Sequence, residues 1–194
     1  MLVPFCFLWL ISCIFAAVVP KPCCTGGQLS ATLHEVIGSY DYLKHIPSTT
    51  ELTVKLFYDY NAKMIRTEME DGTIIIEDHN KNKHFEIKGH TCTTRTLTDV
   101  EALQPPCVPA NASYRGRHTI GDDINYEVDT WYIPGTTFGN VTVAVMPDDC
   151  TPVMQGLSRA TSEIIQQTTI FFHNVTFGAP TANTFHVPGS CTGI

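Results

Sequence analysis

Six cysteines, Cys23, Cys24, Cys92, Cys107, Cys150 and Cys191, carry the most committed chemistry in this chain. Thiols of this kind either form disulfides in an oxidising compartment or bind a soft metal as thiolates. Spacing argues against the metal, because no C-x-x-C pair occurs and the vicinal Cys23-Cys24 does not easily present tetrahedral ligands. Three disulfides are expected, an even set once Cys6 and Cys13 leave with the leader that precedes them. That leader is uncharged from Met1 to Pro20, and its apolar run from Leu2 to Val18 is closed by the small Ala16 and Ala17. It reads as a signal peptide over residues 1–17, followed by one domain over 18–194. It departs from the usual pattern in having no Lys or Arg before the apolar run and in placing Phe15 near the cleavage point. A retained anchor is the alternative. About 17 residues is the shortest helix that spans a bilayer, and no second apolar stretch follows, so no transmembrane segment is expected after cleavage.

Three sequons, Asn111-Ala-Ser, Asn140-Val-Thr and Asn174-Val-Thr, agree with export and mark those asparagines as surface glycosylation sites. The formal charge of −7 argues against a nucleic-acid partner, whose phosphates demand a basic face.

Other chemistry-bearing residues are weaker. Oxygens recur at every second residue in Asp123, Asn125, Glu127 and Asp129, and on a strand they share one face, which makes them the candidate calcium ligands. An EF-hand is excluded, since Val128 stands at the glycine position and Pro134 at the final glutamate. The plainer reading is a solvated strand face opposite Ile124, Tyr126 and Val128. Asp148-Asp149 reads first as a turn and second as a weak calcium contact. No other cofactor is expected. Gly156-Leu157-Ser158-Arg159-Ala160 misses the G-x-S-x-G pattern at its last position, so no nucleophile is assigned and no enzymatic activity is expected. The eight histidines include no H-E-x-x-H, and His79, His84 and His90 fall in or near polar turns, as scattered surface histidines do. They would make ligand release sensitive to acid pH.

The elements that must position these groups repeat with period two. Val54, Leu56, Tyr58 and Tyr60 alternate with Lys55 and Asp59, as in a half-buried strand. Met64 to Glu70 and Thr73 to Glu77 flank Asp71-Gly72, a hairpin dipeptide, and a second turn at Asn80 to Lys83 leads into His84 to Lys88. Further strands are expected at 29–37, 93–98, 115–120, 125–132, 140–145 and 169–177. Leu157 to Gln167 is the one helix candidate and fits a strand almost as well. Pro105, Pro106 and Pro109 forbid central pairing between Asp99 and Ser113, a loop that Cys107 is expected to staple to the body. Many short strands with Gly, Pro and Asn turns imply an all-β sandwich or barrel.

The ordered set Cys92-Thr93-Thr94-Arg95-Thr96-Leu97-Thr98, Cys107 through Tyr114 to Gly121, Asp149 to Val153, Phe171-Phe172 and Pro188-Gly189-Ser190-Cys191 resembles the ependymin-related protein family across the mature chain. The resemblance implies two stacked antiparallel sheets forming a curved half-barrel around a deep hydrophobic pocket. It also implies a secreted homodimeric glycoprotein with lipid-binding and calcium-linked behaviour. It pairs Cys92 with Cys191 and Cys150 with one of the N-terminal cysteines, leaving Cys107 to pair with the other. It carries a glycan onto Asn111. The chain departs from the vertebrate pattern by lacking a cysteine between Ile74 and Asp78 and by ending soon after Cys191.

On this reading Val54, Leu56, Tyr58, Ile65, Ile74, Ile76 and Trp131 line the pocket; the alternative is a dry, interlocked core. A chain of ten to fourteen methylenes would gain about 8–11 kcal/mol gross at ~0.8 kcal/mol each, less association costs. The expected function is therefore a non-enzymatic carrier of fatty acid, phospholipid or glycolipid in extracellular fluid or the lysosomal lumen, with a rim Tyr, Lys or Arg at the headgroup. The alternative is a calcium-responsive protein of extracellular matrix and cell adhesion with no lipid.

Overall fold

The computed structural model describes residues 19–98, 101–121, 126–136 and 139–191. Eleven strands follow in chain order: β1 (Gln28–Asp41), β2 (Ile46–Asp59), β3 (Met64–Met69), β4 (Ile74–Asp78), β5 (Lys83–Lys88), β6 (Thr91–Thr96), β7 (Ser113–Ile120), β8 (Tyr126–Thr136), β9 (Gly139–Val145), β10 (Pro152–Ala160) and β11 (Ile164–Phe177). They form one antiparallel sheet in the order β6-β5-β4-β3-β2-β1-β11-β10-β9-β8-β7. The leader and its Cys6 and Cys13, and the calcium candidates Asp123 and Asn125, lie outside the described residues.

The all-β expectation holds, but the sheet is single and open rather than two stacked layers. The reason lies in its centre. β1, β2 and β11 are each 14 residues long. β1 pairs over its length with both neighbours, from Gln28 opposite Asp59 to Asp41 opposite Ile46, and from Leu29 opposite Phe177 to Asp41 opposite Ile164. The two halves are thereby hydrogen-bonded into one surface, and only the edges β6 and β7 lack a second neighbour.

Between those edges in the chain runs the strap, described at residues 97–98 and 101–112, which crosses one face of the sheet. Glu101 meets Arg95 of β6 and His84 of β5, the Tyr58 hydroxyl of β2 donates to the Gln104 carbonyl at 2.6 Å, and Val108 packs with Trp131 of β8 and Val145 of β9. In a flat sheet β5 and β9 would stand seven strand spacings apart, about 34 Å. Seven residues of chain reach about 25 Å at most. The sheet must curl toward the strap, which makes the strap side its inner face.

Register decides which residues share that face. Leu29 pairs with Tyr58, Ala31 with Leu56 and Leu33 with Val54; onward, Tyr58 pairs with Ile65 and Ile65 with Glu77. The inner face therefore carries Leu29, Ala31, Leu33, Val54, Leu56, Tyr58 and Ile65, and at its β4 end Glu77. Ile74 and Ile76 point the other way. With Phe85 and Ile87 they form a separate core under Val187 and Cys191 of the C-terminal segment. The expected pocket set is thus divided between two faces, because strand alternation was matched across β3 and β4 without their register.

The helix candidate at Leu157 to Gln167 is instead the end of β10, a turn and the start of β11. The Thr161 hydroxyl accepts from Ile164 N at 3.0 Å, and Thr161 N donates to the Ile164 carbonyl at 2.8 Å, closing a tight hairpin. The β-branched run Ile164-Ile165 and Thr168 to Ile170 favours the pleated conformation that follows. Asp71-Gly72 makes the expected turn, with Gly72 at φ 80° where a side chain would be strained.

Three disulfides fasten the segments that leave the sheet: Cys23 to Cys150, Cys24 to Cys107 and Cys92 to Cys191. The first two tie down the N-terminal arm, the second of them directly to the strap, where Thr25 N also donates to the Pro106 carbonyl and Val108 N to that of Cys23. The third holds the C-terminal segment over the outer face of β4 and β5.

Candidate functional site

The centre of the inner face is apolar and incompletely covered. Leu29, Ala31, Leu33 and Val54 are buried, while Leu52, Leu56, Tyr58, Ile170, Phe172 and Val175 packed around them remain half-buried. A pocket of about 250 Å³ opens beside Leu52, Val54 and Met69, with Glu51, Thr53, Glu70 and Asp71 completing its wall. This is smaller than the usual volume of a drug-sized site, so an extended ligand would place one part there and lay the rest along the strands. Beyond Thr50 the same face continues to Ile46 and Ile164, both exposed.

Three polar groups interrupt the inner face, two at this centre and one farther along it. Glu35 stands between its cross-strand partners Leu52 and Ile170, and burial pushes its carboxyl above the ordinary carboxylate range. The Tyr58 hydroxyl is raised well above its usual value, first by burial and then by neighbouring Tyr60 and Asp59. The Trp131 indole N–H is sealed from solvent with no hydrogen-bond partner.

At the β4–β5–β6 end the inner face changes character. Glu77 sits across from His84, and His84 across from Arg95. Glu101 reaches down from the strap to both His84 and Arg95, while its Oε2 accepts from Thr98 N at 2.8 Å and Thr98 Oγ1 at 2.7 Å. Burial, then the negative charge of Glu101, pushes the Glu77 carboxyl up to about 7, partly offset by Arg95. The Glu101 carboxyl is held far below the usual range, chiefly by its hydrogen bond from Arg95. His84 is lowered by burial and then by Arg95, and His79 by burial. The picture of scattered surface histidines therefore fails for His84, which is buried, and for His79, whose side chain is only 10% exposed.

Of the expected pocket residues, Val54, Leu56, Tyr58, Ile65 and Trp131 share the inner face. Trp131 is set apart from the centre, 2% exposed in a cluster with Val108, Val145 and Cys150. Of the calcium candidates, Glu127 and Asp129 share a strand face, but Asp129 is buried rather than solvated. Arg117 grips its two carboxylate oxygens at 2.9 Å each, the Tyr114 hydroxyl donates to it at 2.9 Å, and the same guanidinium reaches Glu127 at 3.3 Å. Asp149 accepts from Thr151 N at 2.9 Å, as a turn aspartate does. Asn111, Asn140 and Asn174 are all exposed.

Compared with known families, residues 67–191 match the Ependymin family. The chain belongs to the ependymin family. Its three disulfides realise the pairing that the resemblance implied and decide what was open, with Cys23 on Cys150 and Cys24 on Cys107. None of the curated proteins matches the chain. Among solved structures, this ependymin-family fold is similar to an uncharacterized conserved protein from Thermus thermophilus, with TM-score 0.52 at 9% identity over 86% of this chain and 88% of that one. A LolA superfamily protein from Nitrosomonas europaea aligns with TM-score 0.39 at 8% identity, over 81% of this chain and 90% of that one. No described helix of this ependymin-family chain is long and apolar enough to cross a membrane. The family match and the disulfides are consistent with an extracellular location.

Proposed function

We propose that this protein is a secreted, glycosylated, non-enzymatic binder of an amphiphile with an acyl chain. The chain lies against Leu52, Val54, Leu56, Ile170 and Phe172 on the inner face, beneath the strap. The observation that carries this reading is the half-covered apolar centre of that face with its adjoining pocket. Membership of the ependymin family supports it. An apolar surface left open in a protein held together by three disulfides costs hydration that a hydrocarbon ligand would recover at ~25 cal/mol per Å² buried. The ligand's polar end meets Glu35, whose raised carboxyl donates a hydrogen bond when protonated and accepts one when ionised.

Organic extraction of purified protein followed by mass spectrometry should yield a stoichiometric lipid. Replacing Leu56 with Asp on the inner face should abolish its recovery, whereas the same change at outer-face Lys55 should leave it intact. Lipid-free wild-type protein that also fails to take up a fluorescent fatty acid, phospholipid or glycolipid would sink the reading.

A further inference from the structure

The densest convergence of ligating atoms lies outside the apolar centre. Glu77 of β4, His84 of β5 and Glu101 of the strap each bring one such atom within 4.8 Å of the others. His84 Nδ1 is 3.2 Å from Glu101 Oε1 and 4.0 Å from Glu77 Oε1. Nδ1 has an Arg95 guanidinium nitrogen 3.0 Å away, which can only donate, and Glu101 Oε1 at 3.2 Å, which can only accept, so its lone pair is open to a metal when the ring carries its proton on Nε2 and Arg95 has moved away. Two carboxylates and a lone pair that converge in this way need a positive charge among them, and Arg95 supplies it by also bonding Glu101.

A second, independent observation points to the same place. The His79 Nε2 is sealed from solvent and has no hydrogen-bond partner, yet it lies 3.3 Å from Glu77 Oε2 on a side chain 10% exposed. That orphaned imidazole nitrogen, on the second oxygen of Glu77, adds a nitrogen to the carboxylate and imidazole donors that a borderline divalent cation takes.

We propose that Glu77, His84 and Glu101, with His79 as the fourth donor, bind a divalent transition-metal ion of the Zn²⁺ class, and that Arg95 holds the position as a displaceable cation. The Arg95 side chain is 48% exposed and can retreat into water, while those of Glu77, His84 and Glu101 are 17%, 8% and 18% exposed and are fixed by their strands and the strap. Two nitrogens and two oxygens suit tetrahedral Zn²⁺ at close range; Ca²⁺ takes six to eight oxygens and has too few here. Because Glu101 belongs to the strap, the ion would clamp the strap to β4 and β5. The site does not depend on the lipid reading.

The test is calorimetric titration of the metal-stripped full protein with ZnCl₂, paired with visible absorption after CoCl₂, each with excess CaCl₂ as a competitor. The expected result is one Zn²⁺ per chain, a tetrahedral Co²⁺ band, and no competition by Ca²⁺. Glu101→Gln on the strap and His84→Asn should each weaken binding at least about tenfold, with far-UV circular dichroism confirming the fold. Arg95→Ala should strengthen it several-fold. Absence of binding in both wild type and Arg95→Ala, or unchanged affinity in folded Glu101→Gln and His84→Asn, would overturn the proposal.

Discussion

Ile76 of β4 and Leu52 of β2 occupy the same sheet a few strands apart, yet one is fully sealed and the other half open. Around Ile76 the sheet is covered on both sides, by the C-terminal segment with Val187 and Cys191 on the outer face and by Glu101 of the strap on the inner one. Around Leu52, among the described residues, the inner face packs against its strand neighbours, and the strap meets this face farther along β2, at Tyr58. The β3–β6 region is finished as a core, with its buried charges internally paired, whereas the β1–β2–β11 region is left as a surface. The sealed core and the open apolar surface therefore lie in different parts of one continuous sheet.

The sharpest way to break this contrast is to remove the cover from one side. Replacing Cys92 and Cys191 together with Ser frees the C-terminal segment and should cost about 3–5 kcal/mol, since 99 residues separate the pair. Urea unfolding measures it, and a loss below about 1 kcal/mol would show that the cover contributes little. Ile76→Ala should cost about 2–5 kcal/mol by cavity formation without altering ligand uptake.

Glu77 distinguishes the two regions by pH. Its folded carboxyl, at about 7, lies above the 4.5 of an unperturbed group, so its favourable contribution is complete below pH 4.5 and is lost as pH rises through 7. A shift of that size is worth about 3 kcal/mol. His79 and His84 act in the opposite sense, because their lowered values favour the neutral rings and cost stability as pH falls below 6.5. Glu77→Gln should therefore raise stability at pH 8 and leave it nearly unchanged at pH 4.5, as read from urea midpoints at both values. An equal effect at both would refute burial as the cause. Leu52→Ala marks the other extreme. Half-buried, it should cost only about 1 kcal/mol of stability, yet it should weaken binding of a twelve-carbon amphiphile several-fold in a fluorescence titration.

The strands were legible wherever alternation was strong. The meander from Thr53 to Lys88 lies close to where period two and the Asp71-Gly72 turn put it. β10 escaped because Gln155-Gly156 and Ser158 break its alternation, and its pairing with β9 and β11 is a long-range fact. Alternation also states that a strand has two faces without saying which face continues across a turn. Ile75 rather than Ile74 shares the side of Thr67 and Leu56, because the β3–β4 register sets Thr67 against Ile75. The His84 cluster was out of reach for a similar reason: Glu101 arrives from a proline-rich loop whose path depends on the curl of the whole sheet. The cysteines were legible as three disulfides from their even number, but six of them allow fifteen pairings, and the pairing came from the family resemblance, with the choice between Cys23 and Cys24 left to the structure.

The first strand to be synthesised is hydrogen-bonded along one side to the last, with Leu29 opposite Phe177. A ribosome therefore releases β1 through β10 before β1 can be completed, and the oily row of Leu29, Ala31 and Leu33 waits with one flank unmade. Nascent chains therefore carry that row uncovered until β11 emerges, an exposure that favours aggregation. The bond between Cys23 and Cys150 can reach its native partner only late in that interval.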